Sequence, residues 1–156
     1  MNATIWGEDE IMSTHRDYPI APICAVGAII FKQDSVLLIQ RGNAPGRGKW
    51  SIPGGAVHLG ENLEDAVIRE AREETQLAVR PIHICKVVDR IHRDASGNIQ
   101  YHFIIVDYLC EVLAGDAQPS SDATAVSYFK MEDLRNLDLT EGTAEVIREV
   151  YRTLLP

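Results

Sequence analysis

Short apolar runs alternate with turn-rich segments along most of the chain. Residues 23–31 and 35–40 are rich in aliphatic and β-branched side chains, and the turn residues Gln33 and Asp34 lie between them. This pattern predicts a buried hairpin. Similar runs predict further strands at residues 82–93, 99–112 and 125–129. A turn-rich loop at residues 94–98 makes the first two of these runs a second hairpin.

Two longer segments have a helical period instead. Residues 62–77 and 140–155 predict helices, and residues 131–134 predict a single helical turn. In the second helix, apolar residues recur on one face; they are Val146, Ile147, Val150, Tyr151 and Leu154. Because strands and helices interleave without a regular βαβ alternation, we predict an α/β fold with a mixed sheet and helices on its faces.

The length and composition favour one soluble domain. The chain has 156 residues, of which 46% are hydrophobic and 24% charged, as in ordinary soluble proteins. No apolar run reaches the roughly 20 residues of a membrane helix, and the first 18 residues lack a signal-peptide core. We therefore expect a cytoplasmic protein. Cys24, Cys85 and Cys110 lie far apart in apolar segments and are predicted to be reduced and buried.

The formal net charge of −8 limits the partners. A broad acidic surface argues against binding to a nucleic acid polymer or to an anionic membrane. A phosphorylated small molecule stays compatible, provided that positive charge is concentrated at the site. Bound divalent cations are one source of such charge.

The helix predicted at residues 62–77 carries an unusual set of carboxylates. When Glu70 is the origin and each residue turns by about 100°, the apolar residues Leu63, Ala66, Val67 and Leu77 lie within about 60° of it. Glu73 and Glu74 fall in the same arc, whereas Arg69 and Arg72 project away. A glutamate run is usually a solvated helix face, but here the period places the charges toward the core. Because unpaired buried carboxylates are unfavourable, the pattern predicts a metal site, and hard oxygen ligands favour Mg²⁺ or Mn²⁺.

The same segment resembles the Nudix box over 23 consecutive positions. The motif consists of Gly55, five residues, Glu61, seven residues and then the stretch Arg69–Leu77, which reads REAREETQL. The lead-in at residues 48–55 is also similar to that of the family. The resemblance implies a Nudix-type α/β/α sandwich over residues 21–156, with residues 1–20 as an N-terminal arm or edge element. Gln76 replaces the family's usual Gly in a left-handed helix cap, so we expect an altered cap but no lost chemistry.

The resemblance also assigns roles to individual residues. It implies that the metal ligands are the carbonyl of Gly55 and the carboxylates of Glu70, Glu73 and Glu74. Glu70 or Glu73 would be catalytic and would orient or deprotonate water, and Glu61 would pair with Arg69 in a structural role. Five further residues are candidates for binding substrate: Arg41, Lys49, Arg90, His92 and Asp122. The alternative is a solvated charge for the first four and a loop cap for Asp122.

The implied activity is metal-dependent hydrolysis of a phosphoanhydride bond. The resemblance favours a nucleoside diphosphate linked to another moiety, such as ADP-ribose or a sugar nucleotide, with a nucleoside monophosphate as one product. Two alternatives stay open: a MutT-like nucleoside triphosphate pyrophosphohydrolase and a non-catalytic nucleotide-binding module. A structural Ca²⁺ site is disfavoured because the sequence has no EF-hand loop. Relatives are often homodimers, and residues 1–20 are a candidate for that interface.

Overall fold

The computed structural model describes residues 16–155. Within these residues, the chain forms five longer strands, two very short strands, two α-helices and one 3-10 helix. The order of the longer elements is the one predicted. In chain order the elements are β1 (Ile23–Lys32), β2 (Ser35–Arg41), β3 (Trp50–Ser51), β4 (Gly54–Ala56), α1 (Leu63–Thr75), β5 (Ala78–Arg93), β6 (Ile99–Ala114), β7 (Ala123–Lys130), a 3-10 helix (Asp133–Asn136) and α2 (Thr143–Leu154).

Strand β1 lies at the centre of a seven-stranded sheet with the order β3-β2-β1-β6-β5; β4 also pairs with β1, and β7 pairs with β2. Strands β1 and β6 are parallel, and the other pairs are antiparallel. The mixed sheet and both predicted hairpins, β1–β2 and β5–β6, are therefore confirmed.

The two faces of the sheet carry one helix each. Alternate residues of β1 and β6, such as Val26 and Val106, pack against helix α1. Ile29, on the other face, packs against Val146 and Val150 of helix α2. The period of two along the strands separates these two cores, and the resulting α/β/α sandwich confirms the predicted fold.

Helix α1 ends two residues earlier than predicted. Gln76 is its C-cap with φ 61° and ψ 11°, and its N–H donates to the carbonyl of Arg72. The chain thus keeps the left-handed cap with a non-glycine residue, so the expectation of an altered cap is wrong. At the other end the side chain of Asn62 caps no backbone N–H. Its amide instead donates to Asp65 Oδ2 at 3.3 Å.

Other bounds also differ from the prediction. Helix α2 begins at Thr143 because Gly142 before it has a positive φ of 74°. The predicted turn at residues 131–134 is a 3-10 helix at Asp133–Asn136. Strand β5 begins four residues early and includes Pro81. Proline is tolerated there because β5 is the edge of the sheet.

The three cysteines are all unpaired, but only Cys110 is buried; Cys85 is partly buried and Cys24 is exposed. The prediction of burial is wrong for Cys24 because burial in β1 starts only at its third residue. Residues 1–15 of the predicted arm lie outside the described residues. Tyr18 contacts the β5–β6 hairpin, where its N–H donates to Gln100 O at 2.8 Å. No helix within residues 16–155 is long and apolar enough to cross a membrane.

Candidate functional site

An ion pair fixes the loop before helix α1 to the helix itself. Arg69 Nε donates to Glu61 Oε1 at 2.7 Å, and Arg69 Nη2 donates to Glu61 Oε2 at 2.9 Å. The same Nη2 reaches the carbonyl of Ala56 at 3.0 Å, and the N–H of His58 donates to Glu61 at 2.9 Å. The guanidinium holds the pKa of Glu61 down at about 2. This bidentate geometry is the strong form of such a pair, as the predicted structural role requires.

Two carboxylates of helix α1 lie against the glycines of β4. Gly54 N–H donates to Glu74 Oε2 at 2.9 Å. At Gly55 there is no room for a side chain, because an added Cβ would come within 2.5 Å of Glu70 Oε1. Both glutamates are buried. Burial, followed by the charge of Glu70, raises the pKa of Glu74 to about 7.

Glu73 and Arg69 differ from the helical projection. The Glu73 side chain is 49% exposed, because the buried stripe is centred nearer Val67 and Ala71 than Glu70, by a rotation of about 50°. Arg69 does not point away. Its Nη1 lies 2.6 Å from Glu70 Oε1 and 3.4 Å from Glu73 Oε2. The prediction that Arg69 projects away from these carboxylates is therefore wrong, since its long side chain turns back over the helix.

The donor set fits a hard divalent cation in its chemistry. Oxygen atoms of Glu70 and Glu74 face the β4 backbone around Gly55, and such ligands suit Mg²⁺ or Mn²⁺. Within residues 16–155 no group of three His, Cys, Asp or Glu side chains is already closed around one point. Glu73 is turned outward, and Arg69 lies between it and Glu70. Joint ligation by the three glutamates would therefore need Arg69 to release Glu70.

All the predicted substrate-binding residues line one cavity of about 560 Å³ together with Glu70, Glu73 and Glu74. This volume is typical of a site for a small molecule. Arg41, at the end of β2, donates from Nε to Pro45 O at 2.7 Å, and burial lowers its pKa. Lys49 pairs at the rim with Asp138 at 3.1 Å. On β5, Arg90 packs over Gly142 at the start of helix α2.

The two other candidates, His92 and Asp122, come from strand β5 and from the loop before β7. His92 contacts the edge of Tyr101, with ring centroids 6.3 Å apart. Asp122 is exposed in the loop before β7, where its carbonyl accepts the N–H of Gly42 at 2.7 Å. The structure thus brings residues from four separate chain segments to the same cavity, as expected if they contact one ligand.

The most buried acid of the cavity lining was missed by the sequence analysis. Asp107 lies in the middle of β6 and is only 4% exposed, yet it lines the cavity. Burial raises its pKa to about 6, and the charge of Arg90 opposes that shift. The available signal was a single acid within the apolar run IIVDYL, because charged residues are rarely fully buried without a reason.

Comparison with known proteins agrees with the fold and the motif. A family model described as the NUDIX domain matches residues 22–150. The chain is 35% identical over 116 residues to an ADP-ribose pyrophosphatase of Methanocaldococcus jannaschii, covering 74% of this chain and 66% of that protein. The aligned part of the chain therefore spans just under two thirds of the M. jannaschii protein. It spans 26% of a putative nudix hydrolase from Caenorhabditis elegans.

Solved structures give the same result. A MutT NUDIX hydrolase from Burkholderia pseudomallei superposes with a TM-score of 0.71 and 32% identity, covering 83% of this chain and 98% of that one. The NUDIX domain of Shewanella oneidensis NrtR, solved in complex with ADP ribose, superposes with a TM-score of 0.70 and 26% identity, covering 86% and 90%. The chain belongs to the NUDIX domain family.

Proposed function

We propose that this protein hydrolyses a phosphoanhydride bond in a nucleoside diphosphate linked to another moiety, with ADP-ribose as the first candidate. A nucleoside monophosphate and a phosphorylated second product would be released. The observation that carries the proposal is the single cavity, in which carboxylates of helix α1 face cations from three loops and strands. The M. jannaschii relative, an ADP-ribose pyrophosphatase, supports the choice of substrate.

The positions of the cavity residues suggest separate roles in binding and in catalysis. Arg41, Lys49 and Arg90 offer positive charge to the diphosphate from different sides of the cavity. Glu73 is the better of the two candidate bases, because its contact with Arg69 is 3.4 Å, whereas Glu70 is held at 2.6 Å. Water attacks one phosphorus, the bond to the bridging oxygen breaks, and the water proton passes to Glu73.

NUDIX hydrolases generally use divalent metal ions, and we propose Mg²⁺ or Mn²⁺ for this chain. Gly55, Glu70, Glu73 and Glu74 would hold the ion, once Arg69 releases Glu70. When bound, it supplies positive charge for the diphosphate and lowers the pKa of water. Glu61 keeps Arg69 nearby through two bonds of 2.7 and 2.9 Å, so the guanidinium stays beside the site after that release.

A substrate panel tests the proposal. Purified protein would be incubated with ADP-ribose, UDP- and GDP-sugars, a dinucleoside polyphosphate and nucleoside triphosphates, with Mg²⁺ or Mn²⁺, and the products separated by chromatography. We expect AMP and ribose 5-phosphate from ADP-ribose, and no products in EDTA. Release of pyrophosphate from a triphosphate alone would instead favour the MutT-like alternative, and binding without any product would favour the non-catalytic module.

We further propose a homodimer, formed through the face of the β5–β6 hairpin that helix α1 leaves uncovered. Ile84, Val87, Ile91 and Ile104 are 37–58% exposed, and the strand register puts them on the same face as Val106. Exposed apolar patches of this kind mark interaction sites.

With free cysteines and a nucleotide substrate, we assign the protein to the cytoplasm.

Light scattering after size-exclusion chromatography tests the dimer. We expect twice the chain mass for the natural protein and for the control Leu59→Lys, which changes an exposed loop residue elsewhere. Val87→Lys should give the single-chain mass, because a charge in the centre of the patch opposes its burial. A natural protein of single-chain mass would contradict the proposal.

A further inference from the structure

Asp107 is a buried acid that the proposed hydrolysis does not use. It is 4% exposed and lines the cavity, and no hydrogen bond within residues 16–155 contributes to its pKa. Because no fully enclosed side-chain oxygen of these residues lacks a partner, the oxygens of Asp107 are open to the cavity. Arg90 is near, but its own bond goes to the carbonyl of Asp89 at 3.2 Å. A buried carboxylate without a bonded partner is unfavourable, so a ligand that donates a hydrogen bond to it would be favoured.

The neighbours of Asp107 along the sheet on the cavity side are mostly apolar. Along β6, Ile105 and Phe103 share its face, two and four residues away. On β5, Val88 is paired with Ile105 and Arg90 with Phe103. All of these residues line the cavity. The sheet therefore places the apolar side chains of Phe103, Ile105 and Val88 beside one hydrogen-bond acceptor, with the Arg90 guanidinium at the Phe103 end.

A row of small residues connects this surface to the glutamates. Gly27 of β1 is paired with Asp107 on one side and with Gly54 on the other. A Cβ at Gly27 would overlap Asp107 Oδ1, so only glycine leaves that carboxylate its place. Two strand spacings, about 10 Å, separate the backbones of Gly54 and Asp107, and Gly54 binds Glu74. This span is comparable to that between the α-phosphate and the far edge of the base in a nucleotide.

We propose that Asp107 recognises the nucleobase of the substrate: its carboxylate accepts a hydrogen bond from the exocyclic amino group of an adenine packed against Phe103, Ile105 and Val88. The inference rests on the proposed function for the choice of an adenine nucleotide. A phosphate would be repelled by this carboxylate. A ribose can donate one hydroxyl to the carboxylate but would leave its other hydroxyl groups unpaired against the aliphatic side chains, whereas the faces of a base bury well against them.

The contact requires a base that carries a hydrogen-bond donor at the position of the adenine amino group. Hypoxanthine carries an oxygen in place of the adenine amino group, so two acceptors would face each other and the carboxylate would stay unpaired. An asparagine at position 107 can accept from the amino group or donate to that oxygen by turning its amide. Asp107→Asn should therefore lose the discrimination between the two bases and keep a similar side-chain volume.

The experiment compares ADP-ribose with its hypoxanthine analogue for the natural protein, Asp107→Asn and the control Asp116→Asn. Asp116 is an exposed aspartate outside this cavity. We expect kcat/KM to favour ADP-ribose by roughly 10- to 100-fold in the natural protein and in the control. The ratio should fall to within about 3-fold in Asp107→Asn. A natural ratio near one, or a ratio unchanged in Asp107→Asn, would overturn the proposal.

Calorimetric binding of AMP and IMP to the same three proteins separates this inference from the proposed function. If ADP-ribose is not hydrolysed but AMP binds more tightly than IMP, and only when Asp107 is present, base recognition stands and the proposed hydrolysis fails. If ADP-ribose is hydrolysed but AMP and IMP bind equally to the natural protein, the proposed hydrolysis stands and base recognition by Asp107 fails. The binding ratio in the natural protein also decides the question if Asp107→Asn does not fold.

Discussion

At the scale of single residues, the cavity is lined by buried carboxylates and by a few cationic side chains. Glu74 receives one backbone hydrogen bond, and burial raises its pKa to about 7. Asp107 is similar, with a pKa of about 6. Glu61 differs, because Arg69 bonds to both its oxygens and lowers its pKa to about 2. Glu61 thus has a structural role, whereas Glu74 and Asp107 are left to interact with a ligand.

The raised pKa of Asp107 makes stability depend on pH. Because its pKa rises from 3.8 to about 6 on folding, the folded protein binds the proton more tightly than the unfolded chain does. The contribution to stability is therefore complete below pH 3.8 and is lost as pH rises through about 6, by roughly 3 kcal/mol. Asp107→Asn should remove this dependence.

Urea unfolding of the natural protein and of Asp107→Asn, both in EDTA, measures the effect. The free energy of unfolding of the variant, relative to the natural protein, should increase by roughly 2.4 kcal/mol between about pH 4 and pH 7. Asp116→Asn is the matched control and should show no such trend. A pH-independent difference between Asp107→Asn and the natural protein would contradict the burial of the charged carboxylate.

The sequence nominated the residues of one side of this cavity and not those of the other. Helical spacing singled out Glu70, Glu73 and Glu74, and the resemblance of residues 55–77 to a family motif added Glu61 and Arg69. Asp107 could not be assigned, because its setting depends on Gly27, 80 positions earlier, through a parallel strand pair. The exposure of Glu73 was missed for a different reason: the projection weighted Leu63 and Leu77 and gave too little weight to Ala71 at the centre of the buried stripe.

At the scale of elements, the end of helix α1 has a strained residue. Gln76 adopts φ 61°, a conformation that is unfavourable for residues with a Cβ. Its carbonyl also lies close to Gly115, where an added Cβ would be 2.9 Å away. Gln76→Gly should raise the free energy of unfolding by about 1 kcal/mol, because glycine is the preferred residue at such a cap.

Chemical denaturation of Gln76→Gly checks this expectation. Gln100→Gly is a suitable comparison, since Gln100 lies within β6, where glycine lowers stability by roughly 0.5–1 kcal/mol. Opposite signs for the two variants would support the role of the left-handed cap. A loss of stability in Gln76→Gly would show instead that contacts of the Gln76 side chain outweigh the backbone strain.

Element types were easier to predict than their ends. The apolar runs identified each long strand and both helices, because burial of one face imposes a period of 2 or 3.6. The ends depend on tertiary contacts. Strand β5 continues back to Ala78 because β6 is there to pair with it, and Gly142 delays helix α2 by its positive φ.

At the scale of the whole molecule, the cavity lies where several parts of the fold meet. The β1–β6 pair contributes Gly27 and Asp107, β4 and helix α1 contribute Gly55 and the glutamates, and the start of helix α2 contributes Thr143. No one segment contains the cavity. Its volume and its lining therefore follow from the topology, which the order of elements along the chain left open.

The central claim is that the carboxylates of helix α1 make this protein a metal-dependent hydrolase. Release of AMP from ADP-ribose in Mg²⁺ by the natural protein, by Glu73→Gln and by Glu64→Gln tests it most directly. Glu64 is an exposed residue on the same helix that does not line the cavity. We predict that Glu73→Gln lowers kcat by roughly 100-fold or more with unchanged thermal stability, whereas Glu64→Gln keeps full activity. A fully active Glu73→Gln protein would contradict the claim.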